Sequence, residues 1–274
     1  MKKLVFRFDI DTHKCIRDGV PNLLALAKEF QSGFSFFLNP GKAVSITESL
    51  KETIFRTKRD KQAECMSAMQ KLGLADYAAA AVINPRLTKY KSIIRNLHDS
   101  CSELGIHGGR NHALWHKHAG EWEEPRVRNE ISWALKKMRD VIPEYQPKGF
   151  ASPGWTSPVQ LEKVLADFGF LYCADFRCGG GQNVLKKGKR LPYIGVNLLG
   201  EPQGVAFFES CRVKGCQEQD ILDMVLRSID RNEVTVIYDH PYYAGIKELA
   251  CIRKIMEQVK ERKDAEIVTL EKLL

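Results

Sequence analysis

Short β-prone runs alternate with amphipathic helical patterns over most of the chain, and this rhythm restricts the fold more than any other feature. The runs are Lys3–His13, Gly33–Leu38, Leu104–His107, Lys148–Ala151, Phe170–Ala174, Tyr193–Leu199, Val205–Ser210, Val234–Asp239 and Glu266–Val268. Between them, apolar residues recur at helical spacing, as in Val20, Leu23, Leu24 and Ala27, or Ile131, Leu135, Met138 and Ile142. Strands that follow one another through helices run parallel, with the crossovers packed on the sheet. Such a sheet is closed as a barrel or left open; the expectation is an α/β barrel whose functional residues stand at the carboxyl ends of its strands. Residues 41–102 break the rhythm with several helical segments, including a basic patch at Arg56, Lys58, Arg59 and Lys61 and an apolar stretch at Tyr77–Ile83. This reads as a helical insertion in one domain spanning residues 1–274. Its surface is either simply solvated or a basic, amphipathic face resting on anionic lipid.

The first run, KLVFRFDIDTH, places Arg7, Asp9 and Asp11 on one face of a strand and Phe6, Phe8 and Ile10 on the other. Paired acids at the end of an apolar strand are costly to bury unless a cation, a metal or a proton compensates them. They mark a site, unless they merely cap the helix that follows. Four of the seven histidines, His107, His112, His116 and His118, crowd into one short stretch just past a strand end. Neutral imidazole beside carboxylate is the donor mix of a catalytic Zn, Mn or Fe, and two histidines with Asp11 leave positions open for water and substrate. A polar, solvated loop with incidental histidines is the plainer alternative. His240, in YDHPYY at the end of a strongly β-prone strand, is placed for proton transfer.

Composition narrows the setting. The 274 residues suit one sizeable core, and a net charge of +8 favours an anionic partner without choosing among phosphate, membrane and nucleic acid. Eight scattered cysteines and an N-terminus without a signal-peptide core are expected for reduced thiols in the cytoplasm, with peripheral contact to the inner membrane face as an option. The pairs Cys173/Cys178 and Cys211/Cys216 have spacing too wide for a usual zinc knuckle.

Together these segments resemble the polysaccharide deacetylase superfamily (NodB homology, carbohydrate esterase family 4). Within it, the chain looks most like the cytoplasmic deformylases of 4-deoxy-4-formamido-arabinose linked to undecaprenyl phosphate. The resemblance runs from Lys3 to about Tyr242 and implies a distorted (β/α)7 TIM-like barrel of the NodB type. RFDIDT implies Asp9 as catalytic base and Asp11 as metal ligand. His107 matches the first histidine of the H-x-x-x-H motif, and His112, with Trp115 behind it, looks like the second. The spacing is one residue too long, which makes Asn111 the reserve ligand. FASPGW implicates Gly154 and Trp155 at the oxyanion, but Ala151 stands where many extracellular relatives carry the Arg that anchors the base. Arg7 or Arg177 is expected to replace it. Asp175 would orient His240, the general acid.

The implied enzyme is a hydrolase that removes a formyl or acetyl group from an amino sugar, lipid- or phosphate-linked, with one divalent ion, Zn ahead of Mn or Co. Two rivals stand beside it: an allantoinase-like amidohydrolase of a small soluble amide, and a non-enzymatic basic binding protein. No nucleic-acid partner is expected, because the basic segments lack interleaved aromatics.

Overall fold

The computed structural model describes residues 1–44, 73–82, 87–178, 183–200 and 205–274. Strand β1 (Lys2–Ile10) is flanked by β2 (Ser35–Leu38) and β8 (Val234–Asp239), and both pairings are parallel. Beyond β2 the sheet continues through β3 (Glu103–His107), β4 (Gly149–Ala151), β5 (Tyr172–Arg177), β7 (Pro192–Val196) and β6 (Leu185–Lys187). A ninth strand, β9 (Ala265–Ile267), pairs with the start of β1. The sheet curls until the segment after β7 meets β8, where Leu198 N–H donates to Val236 O at 3.1 Å and its carbonyl accepts from Tyr238 N–H at 3.1 Å. The result is the distorted barrel expected from the sequence. One strand departs from the all-parallel rhythm, since β6 pairs antiparallel with β7.

Alternation along β1 sorts the core into two layers. Phe6, Phe8 and Ile10 face the helices, among them α1 (Val20–Glu29), where they pack with Phe34, Phe36, Leu23 and Leu26. Val5 faces the barrel interior with Phe37, Tyr172, Val236 and Tyr238. The amino-terminal end of the barrel is plugged by buried Glu103, which accepts from Tyr172 Oη at 2.5 Å, Ser35 Oγ at 2.8 Å and the Glu271 amide at 3.1 Å. With that end closed, polar chemistry is confined to the opposite rim.

Of the expected insertion, the described residues include α2 (Leu74–Val82) and α3 (Lys91–His98), the latter burying Ile94 and Leu97. The basic patch at Arg56, Lys58, Arg59 and Lys61 lies outside the described residues, as does Ile83 at the end of the apolar stretch. The remaining helices are α4 (His112–His118), α5 (Glu124–Arg139), α6 (Leu161–Asp167), α7 (Phe207–Val213), α8 (Glu218–Arg231), α9 (Pro241–Lys247) and α10 (Leu249–Glu261). Val205–Ser210, expected to be extended, instead leads into α7. Asp239 Oδ2 accepts the Phe208 amide at 2.7 Å, and Phe207 and Phe208 are buried against the sheet, so tertiary contacts override local β-propensity. No helix among the described residues is long and apolar enough to cross a membrane.

Two rim segments approach unusually closely. After β1 the chain passes through a π-helical turn (Cys15–Gly19), and a Cβ on Gly19 would lie 2.1 Å from the Pro241 carbonyl oxygen at the start of α9. Only glycine permits this approach. It brings the segment after β1 against the segment after β8, and Asp11 and His240 stand in those two segments.

Candidate active site

Arg7 and Asp9, two residues apart on β1, project into the barrel, each about 1% exposed. Arg7 donates through Nε to Asp9 Oδ1 at 3.0 Å and through Nη2 to Oδ2 at 2.9 Å, while Nη1 donates to Ala174 O at 2.6 Å. Rings of Trp155, Phe37 and Tyr238 surround the guanidinium at 4.5, 4.9 and 5.3 Å. This bidentate, aromatic-boxed cation offsets the burial of the Asp9 carboxylate. Of the two guanidinium groups expected to stand in for the missing Arg, Arg7 is the one bonded to Asp9, and Arg177 lies exposed at the end of β5.

Asp11, at the end of β1, meets two imidazoles. Its Oδ1 is 3.3 Å from His107 Nε2 and 3.5 Å from His112 Nε2, and the two Nε2 atoms are 3.2 Å apart. Asp11 Oδ1 is buried and lacks a well-formed hydrogen bond. His107 Nδ1 lies 2.9 Å from the Ala151 carbonyl, which can only accept, so this nitrogen carries the proton and Nε2 presents its lone pair. Three donor atoms therefore converge on one point, and a divalent cation fits them. Electrostatics agree. Burial pulls His107 down, but the Asp9 and Asp11 carboxylates leave it above its ordinary value, so the site favours positive charge. Burial, reinforced by neighbouring His107, His116 and His240, takes His112 down to about 4 and keeps it a neutral donor above that pH. Burial raises Asp11, yet the neighbouring His112 and His240, with His107 beside them, hold it well below the carboxylate range.

Asn111, the reserve ligand, is committed elsewhere: its side-chain oxygen accepts the Leu114 amide at 3.1 Å and caps α4. Asn111→Ala is expected to retain metal while costing about 1 kcal/mol of stability, whereas His112→Ala loses metal, as metal analysis after dialysis would show. The opposite ranking would make Asn111 the ligand.

His240 follows β8 and lies beside this cluster, with Nε2 3.3 Å from Asp11 Oδ2 and 3.2 Å from Tyr238 Oη. Asp175, expected to orient His240, makes hydrogen bonds to a neighbouring turn. Asp175 accepts from the Ser152 amide at 2.5 Å, Ser152 Oγ at 2.6 Å and Ser157 Oγ at 2.7 Å, so its oxygens hold the Ser152–Ser157 turn. A carboxylate that does lie against the His240 ring is that of Asp11. Within that turn Gly154 (φ 60°) and Trp155 (φ 61°) are left-handed. A Cβ on Gly154 would lie 2.0 Å from the His116 ring, which explains the glycine. The Trp155 amide donates to Ser152 O at 3.1 Å, leaving Gly154 the better oxyanion candidate of the two. Sequence reasoning missed Tyr238, although Val236 and Tyr238 alternate into the barrel interior.

Comparison with known proteins agrees with this fold. A protein described as a polysaccharide deacetylase from Mycobacterium smegmatis is similar in structure, with a TM-score of 0.65 at 17% identity over 99% of this chain and 88% of that one. PuuE allantoinase gives 0.61 at 14%, over 99% and 88%. A family 4 carbohydrate esterase from Streptomyces lividans, in complex with acetate, gives 0.52 at 14%, over 96% and 90%. At such identities the likeness establishes the fold alone. The polysaccharide deacetylase family model matches residues 1–173, well over half of the chain and including Arg7, Asp9, Asp11, His107, His112 and Gly154. The chain belongs to the polysaccharide deacetylase family, hydrolases that act on the amide bonds of acylated carbohydrates.

Proposed function

We propose that the protein is a metal-dependent N-deacylase of an amino sugar. The observation that carries this reading is the convergence of Asp11, His107 and His112 within reach of both the Arg7-anchored Asp9 and His240. Asp11, His107 and His112 would hold the ion, which when bound acidifies water and polarises the amide carbonyl. Asp9 accepts the proton of the attacking water, aligned by Arg7. His240 delivers a proton to the departing amine nitrogen. The Gly154 amide faces the developing oxyanion. Zn suits the two-imidazole, one-carboxylate donor set best, with Mn or Co as substitutes.

The narrower reading is a deformylase of a phosphate- or lipid-linked sugar acting from the cytoplasmic side of a membrane. It draws on Ala151 in place of Arg, the ADFRCG segment at Ala174–Gly179 and the expected helical insertion. The test is amine release from paired N-formyl and N-acetyl amino sugars, free and phosphate-linked, by protein stripped with chelator and reloaded with Zn, Mn or Co. Loss on stripping and recovery on reloading are expected, with N-formyl preferred. Activity that survives complete metal removal defeats the metal-dependent reading. Turnover of allantoin instead of any amino sugar moves the chain to the small-amide alternative.

A further inference from the structure

Tyr238 has no part in the chemistry above, yet it lies against two of the groups that do. The backbone stays extended from β8 through His240 (φ −120°, ψ 140°), so alternation carries Val236, Tyr238 and His240 to the inner face of the barrel. The Tyr238 ring is held from three sides. The Trp155 ring meets it edge-on at 5.1 Å, the Arg7 guanidinium stands 5.3 Å from its centroid, and the His240 ring meets it edge-on at 5.3 Å. Its hydroxyl oxygen reaches to 3.2 Å from His240 Nε2. The residue is 8% exposed, and burial, with the Asp9 and Asp11 carboxylates adding to it, pushes the phenol well above its ordinary value, so the hydroxyl keeps its proton.

Resting on the reading of His240 as the general acid of a deacylase, we infer that Tyr238 is a positioning residue that holds the His240 imidazole throughout proton delivery. Donor and acceptor capacity at one nitrogen decides this. Nε2 has two oxygens beside it, Tyr238 Oη at 3.2 Å and Asp11 Oδ2 at 3.3 Å. While Nε2 carries a proton, either oxygen can accept from it. When the amide C–N bond breaks, its electron pair stays on the amine nitrogen and takes that proton, and Nε2 is left with a lone pair. An ionised carboxylate only accepts and has nothing to offer it, whereas a hydroxyl rotates and donates. Of these two neighbours, Tyr238 alone can hold the ring both before and after the transfer, and the rings packed around it fix where its hydroxyl stands.

The experiment sets two substrates with the same acyl group against metal-loaded wild type, Tyr238→Phe, His240→Ala and the double variant. One substrate is an N-acyl amino sugar, whose amine must gain a proton to leave. The other is the 4-nitrophenyl ester, whose leaving group departs as an anion. Tyr238→Phe, which keeps the ring and its aromatic contacts, is expected to lose roughly tenfold in kcat on the amide, the size of one hydrogen bond, with KM, metal content and ester turnover unchanged. In the His240→Ala background the same substitution is expected to cost nothing further. Should the Phe variant not fold, Tyr238→Leu takes its place. Equal losses on amide and ester, no loss on the amide, or losses that add in the double variant overturn the inference. A second measurement needs no turnover. In the Zn-loaded protein the imidazole nitrogen NMR signals of His240 are expected to move on Tyr238→Phe while those of His107 and His112 stay in place, and an unchanged His240 ring overturns the inference. If wild type releases no amine from any amino sugar the deacylase reading falls, while the spectra still decide whether Tyr238 holds the His240 ring.

Discussion

Asp9→Asn is expected to keep its metal and lose turnover by roughly two to four orders of magnitude, the usual contribution of a positioned general base. Asp11→Asn is expected to fail differently, by losing the metal. The two carboxylates leave the same face of β1, but their surroundings divide the work. Asp9 has both oxygens on the Arg7 guanidinium, at 3.0 and 2.9 Å, with His107 Nδ1 3.7 Å away. Asp11 turns Oδ1 toward two imidazole Nε2 atoms and lacks a well-formed hydrogen bond there. Removing charge from Asp9 leaves the ligand set whole, and an amide still accepts from Arg7. Removing it from Asp11 takes away the only carboxylate of the cluster. Metal stoichiometry measured beside turnover on an N-formyl or N-acetyl amino sugar separates the cases. If Asp9→Asn loses its metal, or turns over almost normally when loaded, the division of labour is wrong.

Much of this site is legible in the sequence because β1 is governed by a local rule. Period-two alternation alone puts Arg7, Asp9 and Asp11 together and sends Phe6, Phe8 and Ile10 to the other layer. The histidine cluster is legible as a composition anomaly beyond a strand end. The choice between Asn111 and His112 had a signal too, since asparagine directly before HALW stands where a helix N-cap belongs. Asp175 was not legible in the same way. The pairing of β5 with β7 shifts register between Cys173 and Phe176, and such an irregularity re-aims side chains without leaving a mark in the local pattern. The helix at Phe207–Val213 was hidden for a related reason: what caps it is Asp239, 31 residues away from Phe208. Features set by neighbouring residues can be read from sequence, whereas those set by strand register or distant partners need the fold.

Arg7→Met is expected to destabilise the protein by roughly 3–5 kcal/mol, because it leaves the Asp9 carboxylate buried without a cation. The surroundings offer little relief. Arg7 and Asp9 are each about 1% exposed, and the groups around the guanidinium are the aromatic rings of Phe37, Trp155 and Tyr238. Nor can the neighbouring carbonyl of Ala174 serve the carboxylate, since both only accept. If the deficit comes from an uncompensated charge and not from lost packing, a second substitution should reverse part of it. The double variant Arg7→Met/Asp9→Asn is therefore expected to be more stable than Arg7→Met alone, by roughly 2 kcal/mol, although the wild-type pair has lost both members. Arg7→Lys tests geometry apart from charge. An ammonium cannot reproduce the bidentate fork or stack flat against Trp155, so this variant should fold and bind metal yet turn over more slowly. Arg177→Ala, at the exposed end of β5, leaves the Arg7–Asp9 pair whole and should cost less stability than Arg7→Met. Urea denaturation of the four variants, with metal content and turnover on the same preparations, gives the comparison. A loss below about 1 kcal/mol for Arg7→Met, or a double variant less stable than the single one, would mean that Arg7 is not what compensates the buried Asp9 charge.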